Sequence, residues 1–484
     1  MRGAEWLQAH RVTATVFGAP LVLLVLVGIG QLVLLDFPNS GDEYVYLYQS
    51  RTMAAGRLWN ATAASLEVFA FNYIVQEPVR TFGSFPMGWP LALALALTLH
   101  VPAWLVNPVL GVVTLALVRV LGARLYHPRV GIIAAALVGL SPFFAFNAAS
   151  YFSHTFCGAL LLGAACVAAR DDRAPLWVPV SVGLLVGWAV LARYFTGVVC
   201  AVPIVFWLLR PGVARTRTAG LVVAGGLPWV VILMAYNAAL SGSPWQLTTM
   251  PVTVARWFAE GTALRGADIL STQVLRHLLW TPPALLGAYL VCLRAAPRET
   301  RRAGYDWMLV VMAATLYFFA ERGGNQYGPR FHYEVFPFLV IFVSANVFRD
   351  GLFAEKPRRD RTIFALLAAS VALMPIGFVA HAVLEGRVVR ERMNPYQMAA
   401  ASGLRQALVL IDGLVGTARS MAAIDLTRNG LDQLDSVLYG LDPGPGAHCA
   451  PGLGIPGRTT YLYAWNRAGS YGTLRPLECP PRAP

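Results

Sequence analysis

Charge is what this chain has least of. Only 13% of its 484 residues are Asp, Glu, Lys or Arg, about half the share of a typical soluble domain. Hydrophobic residues make up 57%, and the mean hydropathy is +0.56. An ordinary soluble globular protein is excluded. The chain also lacks any Cys-x-x-Cys pair or Cys/His spacing suited to zinc. Of its six cysteines, Cys157, Cys166, Cys200 and Cys292 fall in apolar stretches and read as small packing residues. Cys449 and Cys479 lie in a hydrophilic tail and can pair if that tail is exported. No internal repeat or low-complexity block stands out, and no small-residue cleavage site follows the apolar run from Val12 to Leu35. That run is expected to remain as a first helix.

What is present is a series of apolar stretches of about 18 or more residues, enough to cross about 30 Å of hydrocarbon. The fold class expected is an all-α polytopic membrane protein. The net charge of +13 comes from Arg runs between those stretches, which is how cytoplasmic loops are marked. A nucleic-acid partner is therefore not expected; the lipid bilayer is. Placing the basic runs inside gives about eleven spans, with the N-terminus cytoplasmic. The first span, about 12–35, leads into a long external loop, 36–103. Within it "WPLALALALTLH" is too short for a span and reads as a juxtamembrane or re-entrant helix. Spans follow at about 104–123 and 130–149, and then onward to an eleventh at about 362–384. A further external loop is expected at 241–273, after the seventh span. The domains expected are a membrane core, 1–384, and an extracytoplasmic C-terminal α/β or irregular domain, 385–484, rich in Gly and Pro with β-like runs such as "TTYLYAW".

This threading gathers the unusual polar residues on the outer side. Asp42 and Glu43 follow the first span, His154 the third, Arg193 and Tyr194 the fifth, and Glu321, Tyr327 and Arg330 the ninth. Ionisable groups near a membrane are costly and tend to mark a site or a wet cavity. Asp42 and Glu43 point about 100° apart on a helix, so they cannot serve one ligand position equally. Ser40 or Asp42 can also cap a helix through "EYVYLYQSRTMAAG", with Tyr44, Tyr46 and Tyr48 as headgroup-level anchors. Arg330 follows the turn Gly328-Pro329 and opens an apolar span; it suits either a phosphate or a snorkelling role. His154 reads as an interfacial histidine or a ligand. A divalent metal is allowed by Glu43 and His154 but not demanded. An external acid, a boundary Arg and a hydrophobic wall fit sugar transfer from a lipid phosphate. One carboxylate takes the acceptor proton, and Arg offsets charge on the departing phosphate.

The segments "SGDEYVYLYQSRTMAAGRLW", "GSFPMGWPLALALAL", "RLYHPRVGIIAAALVGLSPFF", "YNAALSGSPW" and "GPRFHYEVFPFL" occur in an order that resembles GT-C glycosyltransferases. The likeness covers about residues 10–348. It is to the protein O-mannosyltransferase-like and aminoarabinose-transferase-like enzymes that use polyprenyl-phosphate sugars. The resemblance implies Asp42 as catalytic base and Arg330 as a donor-phosphate contact; Arg193 and Tyr327, on the same outer side by the threading, are the further donor-phosphate candidates. Glu43, His154, Tyr194 and Glu321 would then be supporting or acceptor-side residues. It further implies an undecaprenyl- or dolichyl-phosphate sugar donor and a hydroxyl acceptor on a lipid, glycan or protein. The setting expected is a bacterial inner membrane. Many relatives carry an acid in the second external loop, where this chain has "SYFSHT". The competing expectations are a lipid-linked sugar flippase or transporter and a non-catalytic component of envelope assembly.

Overall fold

The computed structural model describes residues 18–62, 68–169, 175–209, 215–248, 274–295, 326–348, 358–413, 423–444, 455, 457–465 and 471–477. They divide into two compact units. The first comprises Met1–Leu32, Pro86–Trp89 and Val101–Ala382; the second comprises Val33–Phe85, Pro90–His100 and Val383–Pro484. The chain is mostly helical. Three described helices are long and apolar enough to cross a bilayer, and one bent pair can make a fourth.

The first unit is a stack of apolar helices. The chain enters along α1 (Gly18–Val33), whose last residues widen into a π turn, Ile29–Val33. Helix α2 belongs to the second unit, and α3 (Gly88–Thr98) takes up the short apolar stretch of the external loop. Helix α4 (Ala103–Leu125) matches the expected second span. The expected third span does not form one helix. It folds as α5 (Pro128–Gly139) and α6 (Pro142–Ala148), bent by 71°. Pro142 has no N–H to continue the ladder and starts a new helix at its first position instead.

Helices α7 (His154–Ala168), α8 (Trp177–Ala192), α9 (Tyr194–Leu208) and α10 (Arg215–Ser241) follow. Between α8 and α9 only Arg193 intervenes, in an extended conformation with φ −151° and ψ 91°. Helices α8 and α10 touch backbone to backbone. A Cβ on Gly183 would collide with the carbonyl oxygen of Val222, and one on Gly225 with that of Val180. Small residues are what permit such an approach in a membrane, where close packing replaces the hydrophobic effect between helices. Trp229 seals the same contact by donating to the Leu184 carbonyl at 2.8 Å and stacking on Trp188.

The eighth apolar stretch is also broken, into α11 (Leu275–Trp280) and α12 (Ala284–Ala295). Thr281 is extended because Pro282 follows it. The ninth expected span, most of the 241–273 loop, Cys449 and Cys479 lie outside the described residues. Helix α13 (Phe336–Phe348) is buried along nearly its whole length. The last apolar stretch does not stop near residue 384: α14 runs from Arg358 to Ala401.

The second unit is α/β. Helix α2 (Gly41–Ala54) accompanies a three-stranded antiparallel sheet of β1 (Asn60–Ala61), β3 (Arg80–Gly83) and β2 (Ile74–Gln76), in that order. Beyond α14 come β4 (Ala407–Ile411), β5 (Val437–Leu441), β6 (Thr459–Trp465) and β7 (Gly472–Pro476), ordered β5-β4-β6-β7. Strand β4 pairs parallel with β5 and β6, while β7 is antiparallel to β6. Every residue of β4 is buried. Leu408 and Leu410 join Val68, Phe69, Leu438 and Leu462 on one face; Val409 and Ile411 join Ala399, Leu426 and Tyr463 on the other. A strand covered on both faces reads as an unbroken apolar run, as "ALVLI" does.

Candidate functional site

In the second unit, Asp42 sits in the first turn of α2, half-buried. Ser40 is the cap. Its extended backbone starts the helix, and its Oγ accepts from the Glu43 amide at 3.2 Å. The same hydroxyl donates to Glu43 Oε2 at 3.3 Å, a variant of the reciprocal cap built by Ser and Glu three residues apart. Glu43 is thereby buried, whereas its neighbour Asp42 keeps solvent access. The tyrosines expected at headgroup height are instead buried in this unit. Tyr44 packs on Phe71 at 4.6 Å between ring centroids, and Tyr46 on Phe85 at 4.8 Å. Tyr48 Oη accepts from Asn60 Nδ2 at 3.0 Å. The reason is that the segment following α2 folds back as its own small sheet and supplies partners for each ring. Burial pushes the Tyr44 phenol up to about 12, against an ordinary value of 10.

In the first unit, Arg193 and His154 meet at Glu334, a residue that the sequence pattern does not single out, and the charge of Arg330 acts on His154 beside them. Its carboxylate is fully buried. Glu334 Oε1 lies 3.1 Å from Arg193 Nε and 3.1 Å from His154 Nδ1. The single extended residue between α8 and α9 is what turns Arg193 toward it; Arg193 Nη1 also donates to Ser153 Oγ at 3.1 Å. The guanidinium of Arg330 lies over Phe152 at 4.0 Å and near Phe331 at 5.6 Å, the geometry of a cation held on aromatic faces. Arg193 approaches Phe331 as well, at 5.6 Å. Both guanidinium groups act electrostatically on His154. One guanidinium paired with Glu334 and a second, that of Arg330, held on aromatic faces nearby make a cationic, largely apolar environment suited to an anion.

The turn that presents Arg330 is strained. Tyr327 is fully buried with φ +58°, a region that few non-glycine residues adopt, and Gly328 follows at φ +94°. Asn147 Nδ2 donates to the Tyr327 carbonyl at 2.9 Å and holds it there. Gly328 passes between Phe143 and Trp280, where a Cβ would lie 2.9 Å from Phe143 Cδ2. Behind the turn, His332 Nδ1 pairs with His277 Nε2 at 2.8 Å, their rings parallel and buried. Such enforced geometry is characteristic of functional turns.

Tyr194 and Glu321 fall in different places. Tyr194 opens α9 beside Arg193, and Glu321 is outside the described residues. Glu43 and His154 belong to different units. Among the described residues no cluster of three or more His, Cys, Asp or Glu side chains could hold a metal ion. Glu334 was missed because a lone acid ahead of an apolar helix looks like ordinary interface; its only signal is that "GPRFHYEVFPF" leaves it flanked by aromatic and apolar residues.

No family profile matches the sequence, and no curated protein does. The fold, however, has known counterparts. ArnT from Cupriavidus metallidurans in its apo state superposes with a TM-score of 0.55 at 14% identity, over 97% of this chain and 94% of that one. The same enzyme bound to undecaprenyl phosphate gives 0.53 at 14% identity, over 94% and 93%. The archaeal oligosaccharyltransferase AglB from Archaeoglobus fulgidus, in complex with an inhibitory peptide and a dolichol-phosphate, gives 0.48 at 13% identity, over 91% and 67%.

Proposed function

From the GT-C fold that it shares with ArnT, we propose that this chain is an inverting membrane glycosyltransferase. It moves a sugar from a polyprenyl phosphate to a hydroxyl acceptor on the extracytoplasmic face. The observation that carries the reading is the ArnT likeness over nearly the whole of both chains. Because a fold hosts many activities, the side chains must supply the rest of the argument. They do so in two places.

Asp42 combines solvent access with a capped, rigid helix start. It accepts the proton of the acceptor hydroxyl while that oxygen attacks the anomeric carbon. The bond from the anomeric carbon to the phosphate oxygen breaks, and the electron pair leaves with the polyprenyl phosphate. Arg330 and Arg193 meet the charge that grows on that phosphate, Arg330 from its aromatic bed and Arg193 under the pull of Glu334. Tyr327 serves by its strained backbone, which sets the position of Arg330. Glu43 supports the cap. His154 acts through Glu334, and Tyr194 stands next to Arg193. With this reading go about eleven spans, a core over 1–384 and an extracytoplasmic domain over 385–484. A cytoplasmic N-terminus and a bacterial inner membrane complete it.

The test is to incubate purified protein in nanodiscs with a panel of polyprenyl-phosphate sugars and hydroxyl acceptors. Release of free polyprenyl phosphate together with a glycosylated acceptor is expected. Movement of intact lipid-linked sugar across the bilayer, with no covalent transfer, would overturn the reading in favour of a flippase.

A further inference from the structure

The second unit buries a pair of arginines that the transfer chemistry leaves without a task. Arg392, on α14, is 6% exposed, and Arg428, just after the turn Ala423–Leu426, is 9% exposed. Both gather around Asp425. Arg392 Nη2 lies 3.4 Å from Asp425 Oδ2, and Arg428 Nε donates to the Asp425 carbonyl at 2.8 Å. The other carboxylate oxygen, Oδ1, already accepts from Asn72 Nδ2 at 2.6 Å. The guanidinium of Arg428 lies over the rings of Phe37, at 4.4 Å, and Tyr44, at 5.3 Å.

This arrangement leaves donors over. Arg392 Nε and Arg428 Nη1 and Nη2 are buried with no hydrogen-bond partner among the described residues. Two guanidinium groups thus face the one carboxylate of Asp425. Buried charged donors left unpaired are among the costliest features a fold can carry, and an oxyanion would satisfy several of them at once. Burial also pulls the Arg428 pKa below the usual guanidinium range, as expected for a cation awaiting a counter-charge. The first turn of α2 adjoins the cluster: a Cβ on Gly41 would lie 2.6 Å from Asp425 Oδ1. The dipole of a helix start adds to the positive potential there.

We propose that Arg392 and Arg428 form an oxyanion site, and that its ligand is a phosphate or carboxylate group carried by the acceptor. The binding itself is independent of the transferase reading; the assignment of the anion to an acceptor rests on that reading. Since Gly41 immediately precedes Asp42, an anion held there would fix the acceptor close to the base. The acceptor is therefore one that carries an anionic oxygen group, phosphate or carboxylate, near its reacting hydroxyl.

The experiment measures thermal unfolding of the full-length protein in nanodiscs, titrated with sodium phosphate against sodium chloride at equal ionic strength. A saturable rise in Tm with phosphate is expected. Part of that rise should be lost in Arg428→Gln and Arg392→Gln, and that same part should persist in Arg330→Gln and Asp42→Asn, whatever phosphate binds at Arg330 and Arg193. If Arg428→Gln does not fold, Arg428→Lys keeps the charge but not the planar fork, and should bind phosphate at least tenfold more weakly. No phosphate effect beyond chloride, or an effect lost in Arg330→Gln but kept in the Arg428 variants, would overturn the site. In the transfer assay, inorganic phosphate should raise KM for the acceptor in the wild type with kcat unchanged, and should do so less in Arg428→Lys. Equal inhibition in both would overturn the acceptor assignment. Absence of transfer from every donor would count against the transferase reading while leaving phosphate binding to be judged by Tm.

Discussion

Glu334 is the residue on which the charged cluster of the first unit turns, because Arg193 and His154 both reach its Oε1. Removing one partner of a buried ion pair costs about 3–5 kcal/mol, since the other charge is left stranded. Glu334→Ala is therefore expected to lower stability by about that amount, read as a fall in the denaturation midpoint of purified protein. Arg330 differs, because its cation rests on the rings of Phe152 and Phe331. Arg330→Ala should cost a charge-assisted bond to the donor phosphate, about 1.5–3 kcal/mol, or roughly a 10- to 150-fold loss in kcat/KM for the donor. Donor titrations of the transfer reaction would show it. At this scale the sequence was a partial guide. Arg193, His154 and Arg330 stood out as polar residues at the ends of apolar stretches. Glu334 did not, because what distinguishes it is total burial, which depends on α7, α8 and α9 arriving around it.

Among the elements, α2 is defined by its cap. Ser40→Ala removes the oxygen that accepts the Glu43 amide and should cost about 1 kcal/mol of stability. This capping was legible from "NSGDEY", because Ser followed three residues later by Glu is a local signal. The burial of Tyr44, Tyr46 and Tyr48 was not, because their partners Phe71 and Phe85 come from elsewhere in the loop. Burial makes Tyr44 a reporter. Below pH 10 folded and unfolded chains both keep its proton, so stability is unaffected. Between about pH 10 and 12 the unfolded chain loses that proton while the folded chain keeps it, so stability falls, by about 3 kcal/mol in all. Phenolate absorbance and Tm followed across that range would register it. Helices α8 and α10 show the opposite kind of element, specified by absence of side chain. Gly183→Leu should overpack their contact and cost at least about 1–3 kcal/mol, measured as a lower Tm in detergent.

At the level of the whole molecule, hydropathy revealed a helical membrane protein, and the order of a few short segments pointed to a likeness that the fold shared with ArnT bears out. Hydropathy alone did not reveal the breaks at Pro142 and Pro282, which interrupt stretches apolar enough to read as continuous spans. Nor did it separate the loop Val33–Phe85 from the membrane helices and group it with the C-terminal sheet, as the structure does. Such groupings rest on contacts between distant segments, among them Val68 and Phe69 against β4. The central claim, that Asp42 is the base of a sugar transfer, is tested by one comparison: wild type and Asp42→Asn in nanodiscs, with the same polyprenyl-phosphate sugar and acceptor. Loss of transfer by at least two orders of magnitude, on the scale of general-base catalysis, with Tm and donor binding retained, is the result predicted. Transfer at the wild-type rate by Asp42→Asn would contradict it.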